Sequence, residues 1–262
     1  MPLDRALAKR AQSQPSRTPR AVAIRSRYAV ATTNRHTDAE FHAQLQELKD
    51  RLLAMGGRCE QLIARAMRAL EENDGAALEE VDAADRRINA DELAVDDLAV
   101  RILALRQPVG RDLRLLVTAL KVVAALERIG DEAVNVAERA PMLAAKPGKV
   151  QAARALLPEM GRRGAEMLRL VLDAFVAESP DEADRVLAMD DEVDRLYEQV
   201  LEHARVYMSA HPEEAEIGLG VARTAKYLER IADLCTNIAE MVVFMVQGVD
   251  VRHGMYDRRR KS

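Results

Sequence analysis

The chain has 262 residues, 48% of them apolar, 31% charged and only 3% aromatic, with no Trp. That length allows one or two domains with enough material for a core, and a vocabulary of Ala, Leu, Val, Arg and Glu favours helices. Two Cys far apart in sequence, Cys59 and Cys235, make neither a disulfide framework nor a paired-Cys zinc site, so a reducing, cytoplasmic setting is expected. The apolar run Met241–Val246 is far short of the roughly 20 residues needed to cross a bilayer, and no transmembrane segment is expected.

The net charge of -4 is unevenly spread. Residues 1–36 carry eight Lys/Arg against one Asp and residues 251–262 carry five against one, which leaves the middle at about -15. Both basic ends lack helical periodicity and are expected to be disordered tails. The N-terminal composition also fits a transit peptide or an over-extended reading frame. The positive tails permit peripheral contact with anionic lipid, while nucleic acid is not expected as a partner.

In chain order, a first helix is expected from about Thr37 to Glu72. Phe41, Leu45, Leu48, Leu52, Met55, Cys59, Leu62, Ala66 and Leu70 recur every three or four residues along it. Asn73, Asp74 and Gly75 are its stop signal. A second helix should run from about Ala76 to Leu105, and a third from Pro108, a favoured first-turn residue, to near Pro141. Ala144–Lys149, AAKPGK, reads as an interior linker. A fourth helix from Val150 to Glu178 follows, then a fifth opened by Ser179-Pro180 and ending near Ala210. A sixth is opened by His211-Pro212 and reaches about Gln247. Short loops between long helices make antiparallel neighbours, so the expected fold is all-α: two tandem antiparallel three-helix bundles, over 37–143 and 149–250.

One stretch is written twice. LERIGDEAVNVAE, Leu126–Glu138, returns 102 residues later as LERIADLCTNIAE, Leu228–Glu240, with eight of the 13 positions identical. Repetition at one long spacing means a duplicated structural unit. On a helical wheel with Glu127 at zero, Asp131, Asn135 and Glu138 fall at about 40, 80 and 20 degrees. Leu126, Ile129, Ala133, Val136 and Ala140 fall between about 180 and 260 degrees, which puts the acidic face opposite the core and near solvent. A polar face opposite an apolar one is what any surface helix shows. Here, however, Glu229, Asp233, Asn237 and Glu240 repeat all four polar positions, and like charges four apart on a helix repel unless something cationic offsets them.

The second helix of each half adds donors at the same spacing, Asp85 and Asn89 in the first and Asp190 and Asp194 in the second. If that helix lies antiparallel to the third, the two faces converge into an oxygen-rich patch. Carboxylate and amide oxygens suit hard cations such as magnesium, manganese or iron. The five His lie away from these motifs, which disfavours a ferritin-like di-iron core. Cys235 falls on the core face of its helix and reads as a buried structural thiol. No nucleophile elbow, phosphate-cradling Gly loop or catalytic Cys/His spacing is present in the sequence.

ERIGDEAVNVAE, ERIADLCTNIAE, the approach RQPVGRDLRLL (Arg106–Leu116) and the opening RHTDAEFHAQLQELKDRLLAMGG (Arg35–Gly57) together resemble the PhoU family of bacterial phosphate-signalling regulators. The resemblance runs over roughly residues 35–248. It implies a pair of three-helix bundles with surface metal sites, often multinuclear. The implied ligands are Glu127, Asp131 and Asp85 in the first bundle and Glu229, Asp233, Asp190 and Asp194 in the second. Asn89 stands where the second bundle has Asp194, so the first site is expected to be one charge poorer and the weaker binder. The resemblance further implies a cytoplasmic, non-enzymatic adaptor, with a phosphate-transporter ATPase subunit and a membrane sensor kinase as partners, that restrains phosphate uptake and the phosphate-starvation response when phosphate is plentiful. A homodimer is expected. The residues themselves leave open a metal-dependent phosphoester hydrolase and a metal-free helical scaffold.

Overall fold

In a computed structural model of the chain, the backbone is described at residues 30–72 and 75–251, with side chains at 38–71 and 78–251. The chain divides into Met1–Asp38 and Ala39–Ser262. Of the first unit the helical backbone from Val30 is described, and the helical bundle is built by the second. Among the described residues there are helices and turns and no strand. The long helices are α1 (Val30–Glu72), α2 (Gly75–Arg106), α3 (Gly110–Ala137), α6 (Leu157–Ala177), α7 (Pro180–Ala210) and α8 (Ala215–Gln247). Two short ones, α4 (Ala140–Ala144) and α5 (Gln151–Arg154), lie between α3 and α6, and a 3-10 turn, Pro212–Glu214, precedes α8.

Several boundaries differ from the expected ones, for local reasons. α1 begins at Val30 instead of about Thr37, since no Pro or Gly stands between Val30 and Phe41 to stop helix propagation. Asn73 and Asp74 of the expected stop lie outside the described residues, and Gly75 is the first residue of α2. α3 starts at Gly110, after Pro108. Gln107 and Gly110 both have positive φ, 47° and 60°, which turns the chain sharply between α2 and α3 and leaves Pro108 in the connection. The expected fourth helix is divided at Ala155-Leu156. Pro158 has no N–H to offer the carbonyl four residues back and instead sits in the first turn of α6. Ser179 caps α7 as expected, its hydroxyl accepting from the Glu182 N–H at 3.3 Å.

Cross-helix contacts fix the directions. Glu40 pairs with Arg106 at 2.8 Å, Arg58 with Asp91 and Arg65 with Glu80 at 3.9 Å, so α1 and α2 run antiparallel. α6 returns along α1. A Cβ on Gly56 would stand 2.2 Å from Leu172 Cδ1, and one on Gly161 would stand 2.6 Å from Met67 Sδ, so bare backbone at both points lets the two helices approach closely. α3 and α8 are antiparallel as well. Arg114 Nε donates to the Met245 carbonyl at 3.0 Å, Lys121 stands over the Phe244 ring, and Arg230 pairs with Glu132 at 3.3 Å. That last contact lays the two copies of the repeated stretch side by side in opposite directions.

One apolar core runs through both repeats, with Leu48, Leu52, Leu126, Ile129, Phe175, Ile231 and Val242 fully buried in it. Glu178, the C-cap of α6, joins three helices: its carboxylate accepts from Lys49 of α1 at 2.7 Å and from Arg111 of α3. Burial pushes this carboxyl up, but those two hydrogen bonds hold it below the usual range.

Phe175→Ala removes a side chain with no exposed surface and is expected to cost about 3–5 kcal/mol, whereas Leu105→Ala, at 68% exposure, should stay within about 0.5 kcal/mol of wild type. Urea denaturation of both variants checks this; equal midpoints would mean that the core is not where the fold places it.

Candidate metal centres

The helix directions bring the two acidic pairs of each repeat together. On α2, Asp85 and Glu92 face Glu127 and Asp131 of α3 closely enough that their charges act on one another. The Asp85 Oδ1 oxygen lies against the bare backbone of Gly130, 3.7 Å from where a Cβ there would stand. Burial raises the Asp85 and Glu127 carboxyls, and in both Asp131 is the next largest cause. In the second repeat, α7 supplies Asp190 and Asp194 and α8 supplies Glu229 and Asp233. Burial, then the charges of Asp194 and Asp233, pushes Asp190 up to about 6. Burial and Glu229 raise Asp233.

The acidic faces are only partly at the solvent pole that a single-helix wheel gives them: Asp131 and Glu138 are exposed as expected, but the glutamates that open the two stretches are not. Glu229 is only 9% exposed and Glu127 is half-buried, because α7 and α2 pack beside α8 and α3 and cover the edge of each acidic stripe. Three of the remaining expected donors have other company. Asn135 donates to Glu132 at 3.4 Å, Glu138 is the C-cap of α3 and pairs with Arg139 at 3.3 Å, and Glu240 lines a small cavity with Thr118, Lys121 and Phe244. Asn237 is exposed.

The buried oxygens fit a cation. Asn89 Nδ2 donates to Asp85 Oδ2 at 3.1 Å, while Asp85 Oδ1 and Asn89 Oδ1 are buried and have no hydrogen-bond partner in the protein. Asp190 Oδ1 is in the same position in the second repeat. Buried polar atoms are almost always satisfied, and oxygen atoms left over among like charges suit a hard ion. Among the described residues, no three Asp, Glu, His or Cys side chains are gathered closely enough to hold one ion in the present arrangement.

Sequence reasoning passed over two members of these clusters. Glu92, two turns beyond Asp85 on α2, adds a carboxylate to the first, which restores the charge that Asn89 leaves out. Lys226 adds a cation to the second: its Nζ lies 2.6 Å from both oxygens of Glu229 and 5.3 Å from the Tyr197 ring centroid. Glu92 was findable as the i+7 neighbour of Asp85; Lys226, three residues before Glu229, was findable as a helical ion pair. Cys59 and Cys235 are both buried free thiols, pushed up chiefly by burial, and close enough that Cys59 adds to the rise at Cys235.

A duplicated helical bundle with one carboxylate cluster per repeat defines the class. The family model described as "PhoU domain" matches residues 52–140 and again 157–242. The chain is 39% identical over 218 residues to the "Phosphate-specific transport system accessory protein PhoU homolog" of Pseudomonas putida, covering 83% of this chain and 85% of that one. It is 36% identical over 220 residues to the Escherichia coli K12 "Phosphate-specific transport system accessory protein PhoU", covering 84% and 90%. Crystal structures of PhoU from Pseudomonas aeruginosa and of the phosphate transport system regulatory protein PhoU from Streptococcus pneumoniae superpose with TM-scores of 0.75 and 0.74, at 38% and 27% identity. Each covers 80% of this chain, and 100% and 99% of the crystallised chain respectively. The chain belongs to the PhoU family.

Asp190→Asn should stabilise the metal-free protein by at least a few tenths of a kcal/mol at neutral pH, since its charge lies four residues from Asp194. The folded carboxyl titrates at about 6, above its ordinary value of 3.8, so its ionisation opposes folding above pH 6 and has no effect below pH 3.8. The gain of the variant over wild type, followed by thermal melting, should therefore shrink as pH falls from 7 to 4; a gain independent of pH would refute the assigned repulsion.

Proposed function

We propose that this chain is a cytoplasmic regulator of phosphate homeostasis: a metal-binding adaptor, not an enzyme, that restrains phosphate uptake and the phosphate-starvation two-component response when phosphate is plentiful. Membership of a family whose relatives are named for the phosphate-specific transport system is the observation that carries this reading. Expected partners are the ATPase subunit of the phosphate transporter and the membrane sensor kinase, with a homodimer as the working form. Among the described residues no helix is long and apolar enough to cross a membrane, so any membrane association would be through those partners or the basic ends.

The chain's own residues would act by position. Asp85, Glu127 and Asp131 hold one oxygen-rich seam between α2 and α3, and Asp190, Asp194, Glu229 and Asp233 hold its counterpart between α7 and α8. A bound magnesium, manganese or iron ion supplies the positive charge these carboxylates lack. Each seam joins the second and third helices of its repeat, so relief of repulsion there stiffens the pair and sets the surface that a partner meets.

Asp131→Ala with Asp233→Ala is expected to lower bound metal in elemental analysis of the purified protein. In cells, deletion of the gene should raise a phosphate-starvation reporter in phosphate-replete medium, and the wild-type gene should restore repression. Unchanged metal in the double variant would remove these ligands from the proposal, and an unchanged reporter on deletion would overturn the regulatory reading.

A further inference from the structure

We infer that the two repeats are unequal cation sites: the first, between α2 and α3, takes a free hard divalent cation tightly, while the second, between α7 and α8, holds its own tethered cation in Lys226 and takes a free one weakly. This rests on the metal-binding reading above and reverses the order expected from Asn89 and Asp194 alone.

The contrast lies in two exchanged positions. Lys226 corresponds, 102 residues on, to Ala124 of α3, so the first repeat has no ammonium there. Tyr197 corresponds to Glu92 at the 105-residue spacing that relates Asp190 to Asp85. The first cluster therefore has a carboxylate where the second has an aromatic ring. The exchanges are coupled in space, because the ammonium of Lys226 stands 5.3 Å from the centroid of the Tyr197 ring. An aromatic face favours a cation above it, and a carboxylate there would compete for the same ammonium.

Each cluster has four carboxylates, but only the second has one of them capped by an ammonium, with both Glu229 oxygens 2.6 Å from Lys226 Nζ. Glu229 is 9% exposed, so its charge is drawn largely out of water, while the Lys226 side chain that pairs with it stays 41% exposed. A divalent ion entering the second site must displace the ammonium or accept its repulsion. Each site has two buried oxygens without a hydrogen-bond donor, Asp85 Oδ1 and Asn89 Oδ1 in the first and Asp190 Oδ1 and Glu229 Oε2 in the second, but the last of these already has the Lys226 ammonium 2.6 Å away. The arginines beside the clusters do not even out the difference. Arg86 and Arg128 beside the first are exposed, and Arg230 beside the second is turned to Glu132 across the α3–α8 seam.

Manganese binding to the full chain, followed by the EPR signal of free manganese at fixed ionic strength, tests this without reference to any activity. Two phases are expected in wild type. Asp85→Asn with Asp131→Asn should abolish the tight phase. Lys226→Met, which keeps an aliphatic stem over Tyr197, should tighten the weak phase at least about tenfold and leave the tight one in place. Ala124→Lys should weaken the tight phase. Far-UV circular dichroism and urea midpoints confirm that each variant is folded, and Lys226→Gln serves as a second neutral replacement. Loss of the tight phase in Asp190→Asn with Asp233→Asn, or an unmoved weak phase in both Lys226 variants, would overturn the inference while the metal reading stands. No manganese on any of these proteins, Lys226→Met included, would remove both.

Discussion

α3 and α8 pack on each other in opposite directions, and each is also flanked by the second helix of its own repeat. Both helices are thereby packed on more than one side, and the residues left exposed on them, such as Lys121, Arg128 and Asp131 on α3 and Arg223 and Asn237 on α8, fall on the remaining open face. Their apolar stripes, Leu126, Ile129, Ala133 and Val136 on one and Leu228, Ile231, Cys235 and Ile238 on the other, are buried throughout. Asp131 and Glu138 keep exposed side chains, but the carboxylates of Glu127, Glu229 and Asp233 have little surface left to occupy. They lie at the edges of the stripes, where α2 and α7 close over them, and this is why groups that are ordinary on an open helix become raised and crowded here.

Repulsion of this kind opposes folding, and the structure offsets it in different ways in the two halves. In the first repeat, the Asn89 amide donates to Asp85, but a carboxylate oxygen and an amide oxygen remain buried without partners. The second has an ammonium within its own chain. The surrounding core bears the cost in both, since Phe175, Leu126 and their neighbours fill the space between the helices with side chains that have almost no exposed surface. Buried polar seams of this sort persist where the enclosing core is large enough to hold them in place.

The fold was legible because its signals are periodic and local. Apolar residues every three or four positions, the Ser179-Pro180 cap and the repeated thirteen residues suffice to place six long helices in two sets. The misplaced ends are those where one residue's backbone decides: Gln107 and Gly110 at positive φ before α3, and Pro158, which starts a helix where the pattern continues one. The acidic clusters were legible as spacing along single helices, which finds Glu127 with Asp131 and Asp190 with Asp194. What a single wheel does not contain is the rotation of one helix against the next. That rotation sets Glu240 against another cavity, with Thr118 and Lys121, and brings Glu92, which no repeat marks, beside Glu127.

Divergence between copies carries as much physical information as identity. Positions that stayed the same, Glu127 with Glu229 and Asp131 with Asp233, define what both seams require. Two of the differing positions beside them meet in the second repeat, where Lys226 stands 5.3 Å from the Tyr197 ring centroid, and the first repeat has Ala124 and Glu92 in their places. A lysine beside Glu229 without the ring opposite would lose its cation–π contact, and a tyrosine without the lysine would put a ring among carboxylates with no charge to stabilise. Glu132 shows the same logic at the seam: its counterpart is Leu234, so the ion pair with Arg230 exists once and the pseudo-symmetry of α3 and α8 is broken there too. The duplication thus preserved a frame of carboxylates while its two halves became electrostatically different, one with a lysine set against its glutamate and one without.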